Sequence, residues 1–272
     1  MPDCAQVHPV DLLNEAGVRA LFADLRPTHL LHFAWNATPG VYWTTPDNFA
    51  WVSASLNMAR AFWCSGGQRA VFAGSCAEYD WNRAALCIED KTPTVLSTNA
   101  LLASPYGTCK AALEKMLTSF AAQERASIAW GRIFFLYGPF EHPERLVPSV
   151  ILNLLQGRDA LCTHGKQRRS FMHVADVGAA FVDILESDST GVINVGGAEE
   201  VTLGEVVSKI AALIGRPDLL QLGARAAPPN DPPVLLPDVH RLFDEVGFRP
   251  CYSLDEGLLK TVDWWRNKLE QK

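Results

Sequence analysis

The sequence predicts an α/β fold built on a parallel sheet. Strand-length apolar runs alternate with amphipathic helical stretches, a pattern that implies parallel strands joined by crossover helices. The chain has 272 residues, 48% of them hydrophobic, enough for one large core or two closely joined ones. Residues 12–23 read as a helix with Val18, Leu21 and Phe22 on one face, and 30–34 as a strand. Helix 48–65, strand 70–74, helix 106–123 and strand 128–133 follow. The second half is richer in Pro and Gly, with helices at 147–156, Val174–Glu186, 202–214 and 253–265. Thr202 with Glu205, and Ser253 with Glu256, are spaced as capping boxes that open two of them. The Pro-rich stretch 224–237 is expected to be irregular.

Composition removes several function classes. The net charge is −6 with no basic cluster, which argues against nucleic acid as a partner. No apolar run approaches the roughly 18 residues of a membrane helix. The start, Met1-Pro2-Asp3-Cys4, lacks the basic and apolar segments of a signal peptide. Seven cysteines, an odd number without Cys-x-x-Cys or His spacing, fit reduced thiols in a cytoplasm and argue against a zinc site. Cys76 and Cys109 adjoin candidate catalytic residues and are read as small buried packing.

Chemistry concentrates at Tyr106-Gly107-Thr108-Cys109-Lys110. On a helix, Tyr106 and Lys110 share one face, one turn apart, with Ser104 placed to cap the helix and Pro105 suited to its first position. An ammonium beside a phenol favours the phenolate and lowers its pKa from about 10, which suits proton exchange with an alcohol or ketone. Upstream, the strand Val71-Phe72-Ala73-Gly74 ends in Ser75, whose hydroxyl is placed to bond the same oxygen.

A strand ending in Ser, followed by Ser-Pro-Tyr-x-x-x-Lys, resembles the extended short-chain dehydrogenase/reductase family of nucleotide-sugar epimerases, dehydratases and ketoreductases. The resemblance runs over nearly the whole chain. Leu30-Leu31-His32-Phe33-Ala34-Trp35 is similar to that family's fourth strand, whose backbone passes beneath the cofactor. Asp11-Leu12 resembles the pair whose acid contacts adenine. Tyr137-Gly138-Pro139 resembles the turn after the sixth strand, and Gly165 through Val177 resembles the segment whose arginine grips the sugar-nucleotide diphosphate, a role that falls on Arg169. Ser170 replaces the usual Asp beside it. Arg145 resembles a residue lining the sugar-nucleotide pocket, and Arg225 lies where a second phosphate-contacting Arg often stands.

The resemblance implies an N-terminally incomplete Rossmann-type doubly wound parallel sheet over residues 1–140, with a smaller C-terminal α/β substrate lobe over 141–272. It implies NAD or NADP as cofactor and a nucleotide-diphosphate sugar as substrate. Catalysis falls to Ser75, Tyr106 and Lys110, and cofactor binding to Asp11, Leu12, Phe33, Ala34, Trp35, Tyr106 and Lys110. A homodimer through helices 48–65 and 106–123 is also implied. Epimerase and ketoreductase remain open, as do NAD and NADP. Dehydration is disfavoured, because Cys76 and Ala77 stand where dehydratases carry an Asp-Glu pair and Glu78 is one place out of register.

One family feature is missing. No Gly-x-x-Gly-x-x-Gly turn opens a first βαβ unit, so no such backbone cradle for a pyrophosphate is present. The chain is expected to lack the first strands, which leaves open a mis-called start, a truncated or split gene, and a degenerate paralogue. A catalytically impaired fragment or non-catalytic partner protein is the alternative function. The strand at 30–34 is then expected to present an uncovered edge, making the chain poorly soluble alone or prone to pair with another chain. Of the remaining residues, His32 is read as a core histidine, Arg132 as half of a structural ion pair, and Trp35, Trp43 and Trp51 as core aromatics more than pocket walls.

Overall fold

The computed structural model describes residues 5–83, 85–98 and 103–271. Helix α1 (Glu15–Leu25) leads into strand β1 (His29–His32), then α2 (Asp47–Cys64) and β2 (Arg69–Ser75). A short strand β3 (Leu86–Cys87) precedes α3 (Pro105–Glu124), β4 (Ser127–Ile133) and β5 (Phe135–Tyr137). Next come α4 (Leu146–Leu155), β6 (Ala160–Leu161), β7 (Arg168–His173), α5 (Val174–Glu186) and β8 (Gly191–Val195). The chain closes with β9 (Glu200–Thr202), α6 (Leu203–Ile214), β10 (Leu220–Gln221), β11 (Leu236–Pro237) and α7 (Leu254–Glu270).

The large sheet has four parallel strands in the order β1-β2-β4-β8. Its period-two alternation feeds two cores. Ala70 and Phe72 of β2 face α1, α2 and α3 with Phe22, Phe62 and Leu113, whereas Val71 and Ala73 face α5 with Phe181 and Ile184. Both faces are covered, which is why β2 reads as an unbroken apolar run. β1 is an edge strand, and among the described residues only β2 pairs with it. A second sheet, β5-β7-β9, carries the other lobe together with α4, α6 and α7, whose Ile151, Ile210 and Leu258 share a core. The halves interleave: α5 and β8, both beyond residue 140, complete the large sheet.

Most expected elements are present, and their ends shift for local reasons. α1 begins at Glu15 and not at residue 12, because Asn14 caps it by accepting from the Gly17 N–H at 3.2 Å. β1 stops at His32, its last pairing partner being Phe72; beyond it Phe33 packs on Phe181, ring centroids 4.6 Å apart. Both capping boxes are formed. Within the Pro-rich stretch, only Leu236–Pro237 is regular, pairing with β3. No described helix is long and apolar enough to cross a membrane.

Candidate active site

The site lies where β2 ends in Ser75 and α3 begins. Ser104 caps α3, accepting from the Gly107 N–H at 3.1 Å, and Pro105 occupies its first turn. α3 can approach the Cys76–Glu78 turn because residue 107 is glycine: a Cβ there would lie 2.3 Å from the Ala77 carbonyl oxygen. That close approach puts Tyr106 beside Ser75. The serine is held at two points. Its Oγ accepts from the Ala77 N–H at 3.2 Å, and its own N–H donates to Glu78 at 2.7 Å.

Glu78 is wholly enclosed and gathers its neighbours. It accepts from the Trp130 indole N–H at 3.0 Å and from Arg132 Nε at 2.7 Å. Arg132 thus makes the ion pair expected of it, and its Nη2 also lies 3.8 Å from Glu114. Two buried carboxylates share one buried guanidinium, directly behind the catalytic candidates.

Lys110 also turns inward. Its Nζ donates to the Ala73 carbonyl at 2.7 Å and sits 3.9 Å from the centre of the Trp35 ring. Burial lowers its pKa to about 7, with Glu78 pulling the other way. This corrects the expectation that Lys110 lowers the phenol's pKa. Burial instead pushes the Tyr106 phenol well above its ordinary value, opposed in part by Ser75. The ammonium spends itself on a backbone carbonyl and an indole face, and desolvation of the half-buried phenol wins. The Tyr106 ring is packed edge-on by Tyr42, Trp43 and Trp35, with centroids at 4.8, 5.7 and 6.2 Å. Trp35 and the loop bearing Tyr42 are tied down by Asn48, whose Oδ1 accepts from the Trp35 indole at 2.8 Å while its Nδ2 donates to the Tyr42 and Thr45 carbonyls.

Ser75, Tyr106, Lys110 and the aromatic rings of Trp35, Tyr42 and Trp43 line one cavity of about 570 Å³. Of the residues singled out in the sequence, Ser75, Cys76, Tyr106, Lys110, Phe33, Trp35, Trp43, Arg145 and Arg169 face it, so Trp35 and Trp43 are half-buried pocket walls and not the core aromatics expected; Asp11, Leu12, Ala34 and Arg225 do not face it. Asp11 is exposed and accepts from the Leu13 N–H at 3.0 Å. Leu12 packs at the margin of the core under α1 and α2. Arg225 is exposed, with its backbone N–H on the Cys162 carbonyl. Arg169 is enclosed and held by Asp231 at 2.5 Å and by the Pro232 carbonyl at 2.8 Å, so Asp231 supplies the support that Ser170 does not. Arg145, just ahead of α4, lies 5.6 Å from the Tyr42 ring centre. A separate cavity of about 470 Å³, bordered by Thr92, Glu114 and Thr118, does not include Tyr106.

Does a dinucleotide suit these residues? An ammonium has three donors, and among the described residues Lys110 has one acceptor, the Ala73 carbonyl. Its remaining N–H groups, beside Tyr106 at the cavity wall, match the hydroxyls of a nicotinamide ribose. Among the described residues, no glycine-rich turn joins a strand to a helix ahead of β1. The fit is therefore to the nicotinamide end.

His32 takes its place in the core. Its Nε2 lies 3.2 Å from Ser55 Oγ and its ring packs on Phe72. Burial first, then the charge on Lys110, lowers its pKa to about 4. An unfolded histidine takes up its proton near pH 6.5. Between that pH and 4 the unfolded chain therefore holds the extra proton, and stability falls as the pH drops through this window. The full shift is worth roughly 3 kcal/mol. Urea titrations at pH 7 and pH 4.5 should show this loss, and His32→Gln should remove most of it. An unchanged acid dependence in the variant would place the titrating group elsewhere.

Three residues that matter here escaped sequence reasoning: Glu78 as an anchor of Ser75, Asn48 as the brace of the aromatic wall, and Glu141, which lines the cavity. Two of them carried a signal: Glu78 stands three residues after Ser75 in the capping-box spacing that the structure forms, and Glu141 is the acid two residues after Tyr137-Gly138-Pro139.

The sequence pattern of the NAD dependent epimerase/dehydratase family matches residues 2–196, and the chain belongs to that family. A dTDP-glucose 4,6-dehydratase of Xanthomonas campestris pv. campestris is 31% identical over 172 residues, 60% of this chain and 49% of the relative. The chain thus spans about half the length of the curated relatives it matches. UDP-glucose 4-epimerase from Thermotoga maritima, solved with UDP-glucose, superposes with a TM-score of 0.85 at 20% identity, covering 99% of this chain and 87% of the other. UDP-glucose 4-epimerase from Thermus thermophilus, solved with NAD, gives 0.82 at 26% identity over 98% and 86%.

Proposed function

We propose that this chain carries out hydride exchange on a nucleotide-linked sugar with a NAD-type cofactor, as an epimerase or a ketoreductase. The observation that carries the reading is the meeting of Ser75, Tyr106 and Lys110 on one cavity wall, with Arg145 and Arg169 on the same cavity. The nucleotide sugars named for the similar proteins support the substrate class. The 4,6-dehydratase reading is not favoured, because Cys76 and Ala77 supply no acid or base where the Asp-Glu pair would stand.

The roles follow from the contacts. Ser75 Oγ, pinned by the Ala77 N–H, keeps its own proton for a sugar oxygen. Tyr106, held protonated by burial, is prepared to donate to a keto oxygen and to take the proton back in the reverse direction. Lys110 keeps N–H groups for ribose hydroxyls, and its pKa near 7 leaves it easily switched between charged and neutral. A nicotinamide bound there would supply the hydride acceptor and donor. The aromatic wall of Tyr42, Trp43 and Trp35 excludes water from the phenol.

A second reading rests on a different observation. Trp35 covers Lys110, its ring centre 3.9 Å from the Nζ, which suits a binding partner without turnover. Fluorescence titration of the purified chain with NADH and NADPH separates the two. Binding in the micromolar range, weakened at least tenfold in Lys110→Met, supports the catalytic reading. Absence of binding up to millimolar cofactor refutes it for this chain and leaves the partner reading.

A further inference from the structure

The segment Gly138-Pro139-Phe140-Glu141 is shaped in a way that catalysis by Ser75 and Tyr106 does not require. Phe140 is a non-glycine residue at φ +66°, a left-handed conformation that bulky side chains rarely adopt. Its side chain is 83% exposed, and its ring lies 4.8 Å from Trp264 of α7. An aromatic ring left largely in water and a disfavoured backbone are jointly maintained here. Such strain collects where a neighbouring group must be aimed. The neighbour is Glu141, which lines the cavity. Its Oε2 is buried and has no hydrogen-bond partner among the described residues.

An unpartnered buried carboxylate oxygen is costly, and the ordinary remedy is a bound donor. Burial pushes the Glu141 carboxyl up to about 7, against the opposing pull of Arg145 and the Gly138 N–H. Glu141 lines the cavity, so a ligand seated there is placed to supply that donor. A diphosphate brings acceptor oxygens and no donor, and is better matched to Arg145 or Arg169 on the same cavity. The neutral sugar of the proposed substrate carries hydroxyl donors of the kind that oxygen lacks.

We propose that Glu141 reads the sugar: its free oxygen accepts a hydrogen bond from a hydroxyl or amino group on the ring of the nucleotide-linked substrate. The inference rests on the cavity being a nucleotide-sugar site, and it adds a specificity-determining residue to it. Phe140, clasped on Trp264, is the positioning residue that aims it. The substrate must therefore carry a donor on the ring edge facing Glu141, and a sugar lacking one leaves that oxygen unpaired.

Calorimetric titration with UDP, UDP-glucose, dTDP and dTDP-glucose tests this in the full chain. The sugar-dependent part of the affinity, that of the nucleotide sugar relative to its nucleotide, should fall about tenfold in Glu141→Ala. Affinity for UDP or dTDP alone should not change. Glu141→Gln, which retains an acceptor oxygen, should recover most of the loss. Equal losses for nucleotide and nucleotide sugar would mark a structural role and overturn the assignment, as would no loss at all. If the unaltered chain distinguishes none of these ligands, the nucleotide-sugar reading itself fails and takes this inference with it.

Discussion

Replacing Tyr106 with Phe should reduce turnover by about 10³-fold while leaving the protein folded. The substitution deletes one oxygen and keeps the ring. Tyr42, Trp43 and Trp35 contact that ring edge-on, and those contacts survive intact. The phenol is half-buried at the cavity wall and held protonated by desolvation, so in the proposed mechanism its contribution lies in the proton it gives and receives more than in stability. Unfolding free energy should change by no more than about 1 kcal/mol. The assay follows nicotinamide absorbance with UDP- and dTDP-hexoses and their 4-keto derivatives, beside a urea denaturation of the same preparations. Turnover that persists at the wild-type rate in the variant would remove Tyr106 from the mechanism. Ser75→Ala should cost less, because in the proposed mechanism the serine orients the oxygen and does not move its proton.

The catalytic candidates were legible because their signals are local. Ser104, Pro105, Tyr106 and Lys110 sit within two helical turns, and cap, first-turn proline and shared face are all properties of consecutive residues. The capping boxes at Thr202 and Ser253 were readable for the same reason. β2 was readable because burial on both faces leaves an unbroken apolar run. What escaped is held together across the chain. Glu78 meets Trp130 and Arg132, more than fifty residues away, through contacts that leave no periodic trace. Asn48 looks like any polar residue at a helix start, and only the folded loop reveals that it braces Trp35 and Tyr42. The pKa of Tyr106 was misjudged for a physical reason. A shared helix face places Lys110 near Tyr106, but it does not say which acceptor the long lysine side chain reaches. Here that acceptor is the Ala73 carbonyl, and desolvation decides the phenol's pKa. Arg225 shows the converse. A charged residue in a Pro-rich loop has no register to fix it, and the fold leaves it outside the cavity.

Arg132→Met should be the most damaging single change to stability, at about 3–5 kcal/mol. Arg132 is 1% exposed, beside Glu78 at 0% and Glu114 at 2%. Its guanidinium also stacks 4.4 Å from the Tyr79 ring centre. Methionine fills much of that volume, so packing is not the main loss. The loss comes from carboxylate charge left in the interior: Glu78 loses its 2.7 Å partner and is left with the Lys110 charge alone, while Glu114 keeps Lys115 at 3.5 Å and the Thr118 hydroxyl at 2.8 Å and loses less. Adding Glu78→Gln to Arg132→Met removes one of those charges while keeping an acceptor for the Trp130 indole and the Ser75 N–H. The double variant should therefore be more stable than Arg132→Met alone, by about 1–3 kcal/mol. Urea denaturation of the wild type, both single variants and the double variant forms a closed cycle that isolates the coupling. Additive losses would show that the ion pair contributes nothing beyond its separate parts. Because Glu78 also holds the Ser75 N–H, the same cycle read through turnover tests whether the buried pair transmits its rigidity to the site. Turnover lost in Arg132→Met and partly regained in the double variant would tie the orientation of Ser75 to a charge pair buried behind it.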